Sequence, residues 1–250
     1  MNDVVKIGVI GLGNAGSPIL NNLHKSNKYK LFAFDIDINK LNDVPESVIK
    51  TSSIKNLAEQ CNVVLTCLPK PEHVLEVVDG EEGLLKNASS GTVWIDTSTT
   101  NFKQTQKLAS KAETHGVLML EATLTGGVHA LQNNNMVCLA GGDKETFKIW
   151  KEVLQDAIGE VVVLCGDIGA GAIAKVVSNM LAFTNMVAAS ECMMIAKRAG
   201  LDLENFFDAI RVSAGNSFAW ETVVPHIFNQ KYEAGFTMDL ACKDMNLSYL

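Results

Sequence analysis

The chain has no basic stripe, no paired cysteines and no histidine cluster, and each absence removes a class of function. Its 21 lysines and arginines are scattered singly among 28 aspartates and glutamates, for a net charge of −7. With no concentrated cationic face, neither nucleic acid nor an anionic membrane is expected as a partner. The six cysteines, Cys61, Cys67, Cys138, Cys165, Cys192 and Cys242, never fall at C-x-x-C spacing, and most lie inside apolar runs. Buried free thiols in a reducing compartment are therefore expected, not disulfides or a metal site. His24, His73, His115, His129 and His226 show no ligand spacing, so no metal is expected. No basic and apolar leader is read ahead of the first apolar run. The most apolar stretch, from Met180 to Ala196, is broken by Thr184, Asn185, Ser190 and Glu191. No membrane span and a cytoplasmic location are the resulting expectations.

What is present is a well-stocked core and a strong local motif. At 47% hydrophobic residues, the chain of 250 can bury one large domain or two smaller ones, and disorder is excluded. The apolar run Val5–Ile10 leads straight into Gly11-Leu12-Gly13-Asn14-Ala15-Gly16, and Pro18, Ile19, Leu20 and Leu23 follow at helical spacing. A strand, a glycine turn and a helix in that order build a pyrophosphate site from backbone N–H groups and the helix dipole. A second apolar run, Leu31–Phe34, ends at Asp35, about 20 residues after Gly16, where an acid can accept the adenosine ribose hydroxyls. That acid repels a 2′-phosphate, and no lysine or arginine occurs in the next four residues, so NAD is expected in preference to NADP.

Apolar runs then alternate with amphipathic stretches. Candidate strands are Val5–Ile10, Lys30–Asp35, Ser47–Lys50, Val63–Cys67, Thr92–Asp96, Val117–Glu121, Met136–Ala140 and Glu160–Leu164. Helical patterns cover Ile54–Gln60, Glu72–Val78, Asn101–Thr114 and Lys144–Ala157. The alternation predicts an α/β Rossmann fold, a doubly wound, mostly parallel sheet that holds its ligand beyond the strand carboxyl ends. After the turn Cys165–Gly171 the pattern becomes helical throughout, beginning with one helix of about 28 residues at 1.5 Å each that reaches Arg198. This helix is apolar all round, so it must be covered by other elements or by a second subunit, and Met186, Met193 and Met194 read as core. The expected division is a dinucleotide-binding domain over 1–165 and an all-helical domain over 166–250 that handles substrate and dimerisation.

Four stretches together resemble the β-hydroxyacid dehydrogenases, the group that includes 3-hydroxyisobutyrate dehydrogenase and tartronate semialdehyde reductase and is similar to 6-phosphogluconate dehydrogenase. They are the glycine loop; Glu121-Ala122-Thr123-Leu124-Thr125-Gly126-Gly127, where the family has D-A-P-V-S-G-G; Gly169-Ala170-Gly171-Ala172-Ile173-Ala174-Lys175 with Asn179, resembling G-x-G-x-x-x-K-x-x-N-N; and Lys243-Asp244-Met245, resembling K-D-L. Leu68-Pro69 and Asp96–Thr99 are lesser matches. The resemblance implies that Lys175 is the catalytic acid/base and that Asn179, one helical turn on, orients the substrate hydroxyl. Thr125, Gly126 and Gly127 would bind the substrate carboxylate, a fit that backbone N–H groups and a hydroxyl make chemically sensible. Gly11 to Gly16, Asp35, Leu68, Pro69, Thr99 and Lys243 would contact the cofactor, and Lys243 the substrate as well.

The reaction so implied is hydride transfer between NAD and a small 3-hydroxy acid or its semialdehyde, in a homodimer or homotetramer. An imine reductase-like enzyme and a non-catalytic dinucleotide-binding scaffold are the alternatives. Departures from the family pattern are Glu121 for Asp, Thr123 for Pro and Ser178 for the first Asn of the N-N pair. The sequence also stops soon after Lys243, where family members usually continue through further helices, so a truncated C-terminus is an expectation.

Overall fold

A computed structural model describes residues 4–126, 131–230 and 237–246, apart from the side chains of Leu240 and Lys243. It divides into two compact units, one running to Lys175 and the other spanning Val176–Asn246.

The first unit is built on eight strands: β1 (Lys6–Ile10), β2 (Lys30–Phe34), β3 (Ile49–Lys50), β4 (Val63–Thr66), β5 (Val93–Asp96), β6 (Leu118–Thr125), β7 (Val137–Gly142) and β8 (Val162–Gly166). They form one sheet in the order β3-β2-β1-β4-β5-β6-β7-β8. All neighbours are parallel except β6 and β7, which pair antiparallel with Thr125 opposite Val137. The chain therefore switches direction of travel beside β1, between β2 and β4. This is the crevice in which doubly wound sheets place ligands. The sequence pattern ends the sixth strand at Glu121, but antiparallel pairing with β7 carries it on to Thr125.

Strand alternation sorts the core into two layers. Ile7, Val9, Val63, Leu65, Val93 and Ile95 pack with Ile19, Leu20 and Leu23 of α1 (Gly16–Ser26) and Phe147 and Leu154 of α6 (Lys144–Ala157). Phe32, Val64 and Trp94 face the other way. There they meet Leu57 of α2 (Ile54–Ala58), Val74 and Val78 of α3 (Pro71–Asp79), Leu84 of α4 (Leu84–Asn87) and Leu108 of α5 (Phe102–Thr114). Successive side chains of a strand point to opposite faces, so each buried run feeds both layers. Each large apolar side chain removed from water contributes roughly 1.5–3 kcal/mol before entropy is charged against it. Local signals start the helices: Ser53, Asn101 and Asp143 accept from backbone N–H groups as N-caps of α2, α5 and α6, and Pro71 opens α3. His73 lies within α3, inside the helical pattern Glu72–Val78.

The second unit begins inside α7 (Ala170–Arg198) and continues through α8 (Leu203–Arg211), α9 (Phe218–Phe228) and α10 (Met238–Asn246). Its core is Ala189, Met193, Trp220 and Val224, with Phe206, Phe207, Ile210 and Phe228 against them. Trp220 stacks on Phe207 at 5.9 Å and donates its indole N–H to the Phe207 carbonyl at 3.2 Å. Phe218, two residues earlier, is exposed. By length and composition alone α7 could cross a membrane; Ala189 and Met193 of this helix pack in the core of the second unit. Val177, Leu181, Val187 and Ile195 stand exposed. Two expectations need correction here. Met186 and Met194 are exposed and do not join Met193 in the core, and Cys165, Cys192 and Cys242 are exposed thiols, although Cys61 and Cys138 are buried.

Candidate functional site

The glycine loop and Asp35 are brought together as one structure. Gly11 donates its N–H to the Phe34 carbonyl at 3.0 Å, so the loop starts pinned to the end of β2. Asp35 follows directly, and its carboxylate accepts the Leu12 N–H at 2.6 Å and the Asp37 N–H at 2.8 Å. A methyl group at Gly16 would overlap the carbonyl oxygen of Gly11, so only glycine lets α1 start this close to the loop. Gly13 lies exposed with open space where a side chain would project. No side chain caps α1 at Ala15. A helix start without a side-chain cap, a bare glycine beside it and a fixed carboxylate at the next strand end fit a dinucleotide: pyrophosphate on the helix N-terminus, ribose on the acid.

The ends of β4 and β5 are tied by a buried polar chain. The Trp94 indole N–H donates to the Thr66 hydroxyl at 2.9 Å, and that hydroxyl donates to Asp96 Oδ1 at 2.8 Å. Asp96 also accepts the Ser98 N–H at 3.0 Å, and the Ser98 hydroxyl accepts the Leu68 N–H at 3.0 Å. The backbone of Leu68, one of the expected cofactor residues, is thereby anchored, with Pro69 exposed and Thr99 half-buried beyond it. Burial lifts the Asp96 carboxyl to about 6, against the opposing pull of its hydrogen bonds from Ser98 and Thr66. Asp96 had stood in the sequence only as part of a minor motif. Its role as a hub depends on register, which aligns Thr66 with Asp96 across two strands.

The two departures in the D-A-P-V-S-G-G-like stretch act on the long helix. Glu121 is 2% exposed, and its carboxylate accepts N–H groups from Gly169 at 2.6 Å, Gly171 at 3.2 Å and Ala172 at 3.3 Å. It thus caps the start of α7 from a neighbouring part of the sheet. Burial raises its pKa, the three N–H groups lower it, and Asp96, its register neighbour on β5, raises it again. Thr123, also buried, has its hydroxyl at 2.9 Å from the Leu139 carbonyl and 3.1 Å from the Gly171 carbonyl, with one proton to share between them. Gly171 is glycine for space: a Cβ there would lie 2.9 Å from the Leu139 carbonyl oxygen. A proline at 123 would carry no hydroxyl for either carbonyl.

Lys175 is partly buried in the second turn of α7. Asn179, one turn further along and buried, donates its side-chain N–H to Asp244 of α10 at 2.8 Å. Asp244 is a residue whose role the sequence did not reveal, although it sits in the K-D-L-like triplet. Lys243 lies in α10, with its side chain outside the described residues. Thr125 ends β6 half-buried and Gly126 follows exposed, while Gly127 and His129 lie outside the described residues. Ser178 is half-buried on α7. Among the described residues no cluster of histidine, cysteine or acidic side chains could hold a metal ion.

The sheet topology and its glycine-lined crevice define a dinucleotide-binding protein with an appended helical unit. A profile of the NAD binding domain of 6-phosphogluconate dehydrogenase matches residues 6–166, and one described as NAD-binding of NADP-dependent 3-hydroxyisobutyrate dehydrogenase matches 169–249. Mitochondrial 3-hydroxyisobutyrate dehydrogenase of Mus musculus is 32% identical over 97% of this chain and 74% of its own length. 2-(Hydroxymethyl)glutarate dehydrogenase of Eubacterium barkeri is 30% identical over 99% and 82%. The structure of Mycobacterium tuberculosis 3-hydroxyisobutyrate dehydrogenase with L-serine superposes with a TM-score of 0.89 at 28% identity, covering 98% of this chain and 85% of that one. The chain belongs to the β-hydroxyacid dehydrogenase family, with a dinucleotide-binding domain of the 6-phosphogluconate dehydrogenase type. It is an NAD(P)-binding oxidoreductase of the class that acts on CH–OH groups.

Proposed function

We propose that the protein oxidises a small 3-hydroxy acid of the 3-hydroxyisobutyrate kind to its semialdehyde, or runs the reverse reaction, with NAD as the partner and Lys175 as the proton carrier. The observation that carries this reading is that the strand holding Glu121 and Thr123 grips the first turn of the helix bearing Lys175, in the same unit as the glycine loop and Asp35. The names of the relatives supply the substrate class. The Asp35 carboxylate, held by two backbone N–H groups, supports NAD: a 2′-phosphate would meet a fixed negative charge with no lysine or arginine among residues 36–39 to offset it.

NAD, when bound, takes up or returns the hydride. In the oxidising direction the neutral amine of Lys175 accepts the hydroxyl proton; in the reducing direction its ammonium gives that proton back. Asn179, its amide oriented by Asp244, aligns the substrate hydroxyl. Thr125 with Gly126 and Gly127 holds the carboxylate, and Leu68, Pro69, Thr99 and Lys243 line the cofactor. The exposed apolar side chains of α7 favour a homodimer or homotetramer, which light scattering in solution checks.

The test is a panel of 3-hydroxy acids offered with NAD and with NADP, read by absorbance of the reduced cofactor, on the native protein and on Lys175→Ala. Native turnover with NAD is expected. The variant should keep NAD affinity while turnover falls by about 10²–10⁴-fold, the usual contribution of a positioned acid/base. Near-native turnover in the variant refutes the role of Lys175. NAD binding without turnover on any substrate leaves a dinucleotide-binding scaffold.

A further inference from the structure

We infer that Glu121 is a positioning residue for the reaction: its carboxylate, bonded to three N–H groups at the start of α7, sets the place and the electrostatic surroundings of the Lys175 amine. The inference rests on the acid/base reading of Lys175 and adds the residue that governs it.

The geometry is direct. Gly169, Gly171 and Ala172 all point their N–H groups at one buried carboxylate on β6. These are among the donors that a helix start leaves without intrahelical partners. Lys175 lies four residues past Gly171, about 6 Å along the axis at 1.5 Å per residue. In an α-helix the N–H of Lys175 bonds to the Gly171 carbonyl, the same carbonyl that Thr123 approaches from β6. The backbone turn that carries the amine is therefore fastened to the sheet through both its N–H groups and its carbonyl. The site is packed too closely for the carboxylate to be a bystander, since a side chain at Gly141 would collide with Glu121 Oε2.

Charge reinforces position. A carboxylate at a helix N-terminus offsets the positive end of the dipole. Without it, that positive end lies one turn from an ammonium and disfavours the charged form. Among the described residues, the other titratable groups shown to act with Glu121 are Asp96 on β5 and the Cys165 thiol at the end of β8. Burial first and Asp96 second oppose ionisation of Glu121, and the helix N–H groups support it.

Glu121→Gln keeps the shape and removes the charge, whereas Glu121→Asp keeps the charge and shortens the reach by one methylene. The pH profile of kcat is measured in the oxidising direction for both, beside wild type and Lys175→Ala, with NAD affinity measured separately. Glu121→Gln is expected to move the inflection belonging to Lys175 down by roughly half a pH unit, the size of effect a charge at a helix terminus has. NAD affinity and substrate KM should stay within about twofold, because the Glu121 carboxylate is buried and turned to the head of α7. Glu121→Asp should restore the wild-type inflection with kcat reduced several-fold. A folded Glu121→Gln with the wild-type inflection overturns the inference, since a merely structural cap would lower thermal stability alone. If Glu121→Gln does not fold, Glu121→Asp decides: a several-fold drop in kcat at unchanged KM supports the inference, and wild-type kcat overturns it. Lys175→Ala separates the two layers. If it retains turnover, the acid/base reading itself falls and the inference with it. If it is inactive while the glutamate variants behave as wild type, only the role of Glu121 is refuted.

Discussion

Asp96 makes the stability of the protein depend on pH in a direction opposite to that of a salt-bridged carboxylate. It is 3% exposed, accepts hydrogen bonds from the Thr66 hydroxyl and the Ser98 N–H, and is lifted by burial from 3.8 to about 6. The folded state therefore holds this proton more tightly than the unfolded chain does. The stability it contributes is fully present below pH 3.8 and is lost as pH rises through about 6. A displacement of about two pH units corresponds to about 3 kcal/mol. Asp96→Asn removes the charge, and the asparagine Oδ1 can accept the same two hydrogen bonds. Urea unfolding of both proteins at intervals from pH 4 to pH 7 measures the difference. Other carboxylates titrate in both chains and largely cancel. The stability of the variant relative to wild type should rise by roughly 2–3 kcal/mol across that range, with most of the rise complete by about pH 6. A difference that stays constant, or narrows as pH rises, would refute the claim that burial outweighs the hydrogen bonds at this carboxylate.

Two further outcomes follow from the same structure. Gly16→Ala places a methyl group on the Gly11 carbonyl oxygen, so the loop or the start of α1 must shift; NAD affinity measured by fluorescence titration should fall by at least tenfold, with a stability loss of about 1–3 kcal/mol. Asp244→Ala removes the acceptor of the buried Asn179 amide; thermal unfolding should report a loss of about 1.5–3 kcal/mol, and substrate KM should rise with NAD affinity unchanged.

Much of the site was visible in one dimension because its chemistry is local. A glycine turn between a strand and a helix, and an acid at the end of the next strand, are short-range patterns, and in the folded chain Asp35 lies beside that loop and accepts the Leu12 N–H. The long helix reads from an unbroken run of helix formers, and it spans Ala170–Arg198. Other features were hidden for equally physical reasons. The sixth strand extends to Thr125 because β7 folds back antiparallel against it, and pairing of that kind is a property of two segments. Phe218 and Trp220 look equivalent in the chain. Only packing against Phe206 and Phe207 buries the second and leaves the first in solvent.

Sequence by itself determined the order of strands and helices, the dinucleotide loop and the family, since periodicity, turn chemistry and motif spacing are carried by neighbouring residues. Tertiary structure alone decided what the unusual residues do. Glu121 finds its partners 48 to 51 positions ahead, at the head of α7, and Asn179 finds Asp244 across 65. Pairings at such separations depend on sheet register and helix placement, which arise only when the whole core closes.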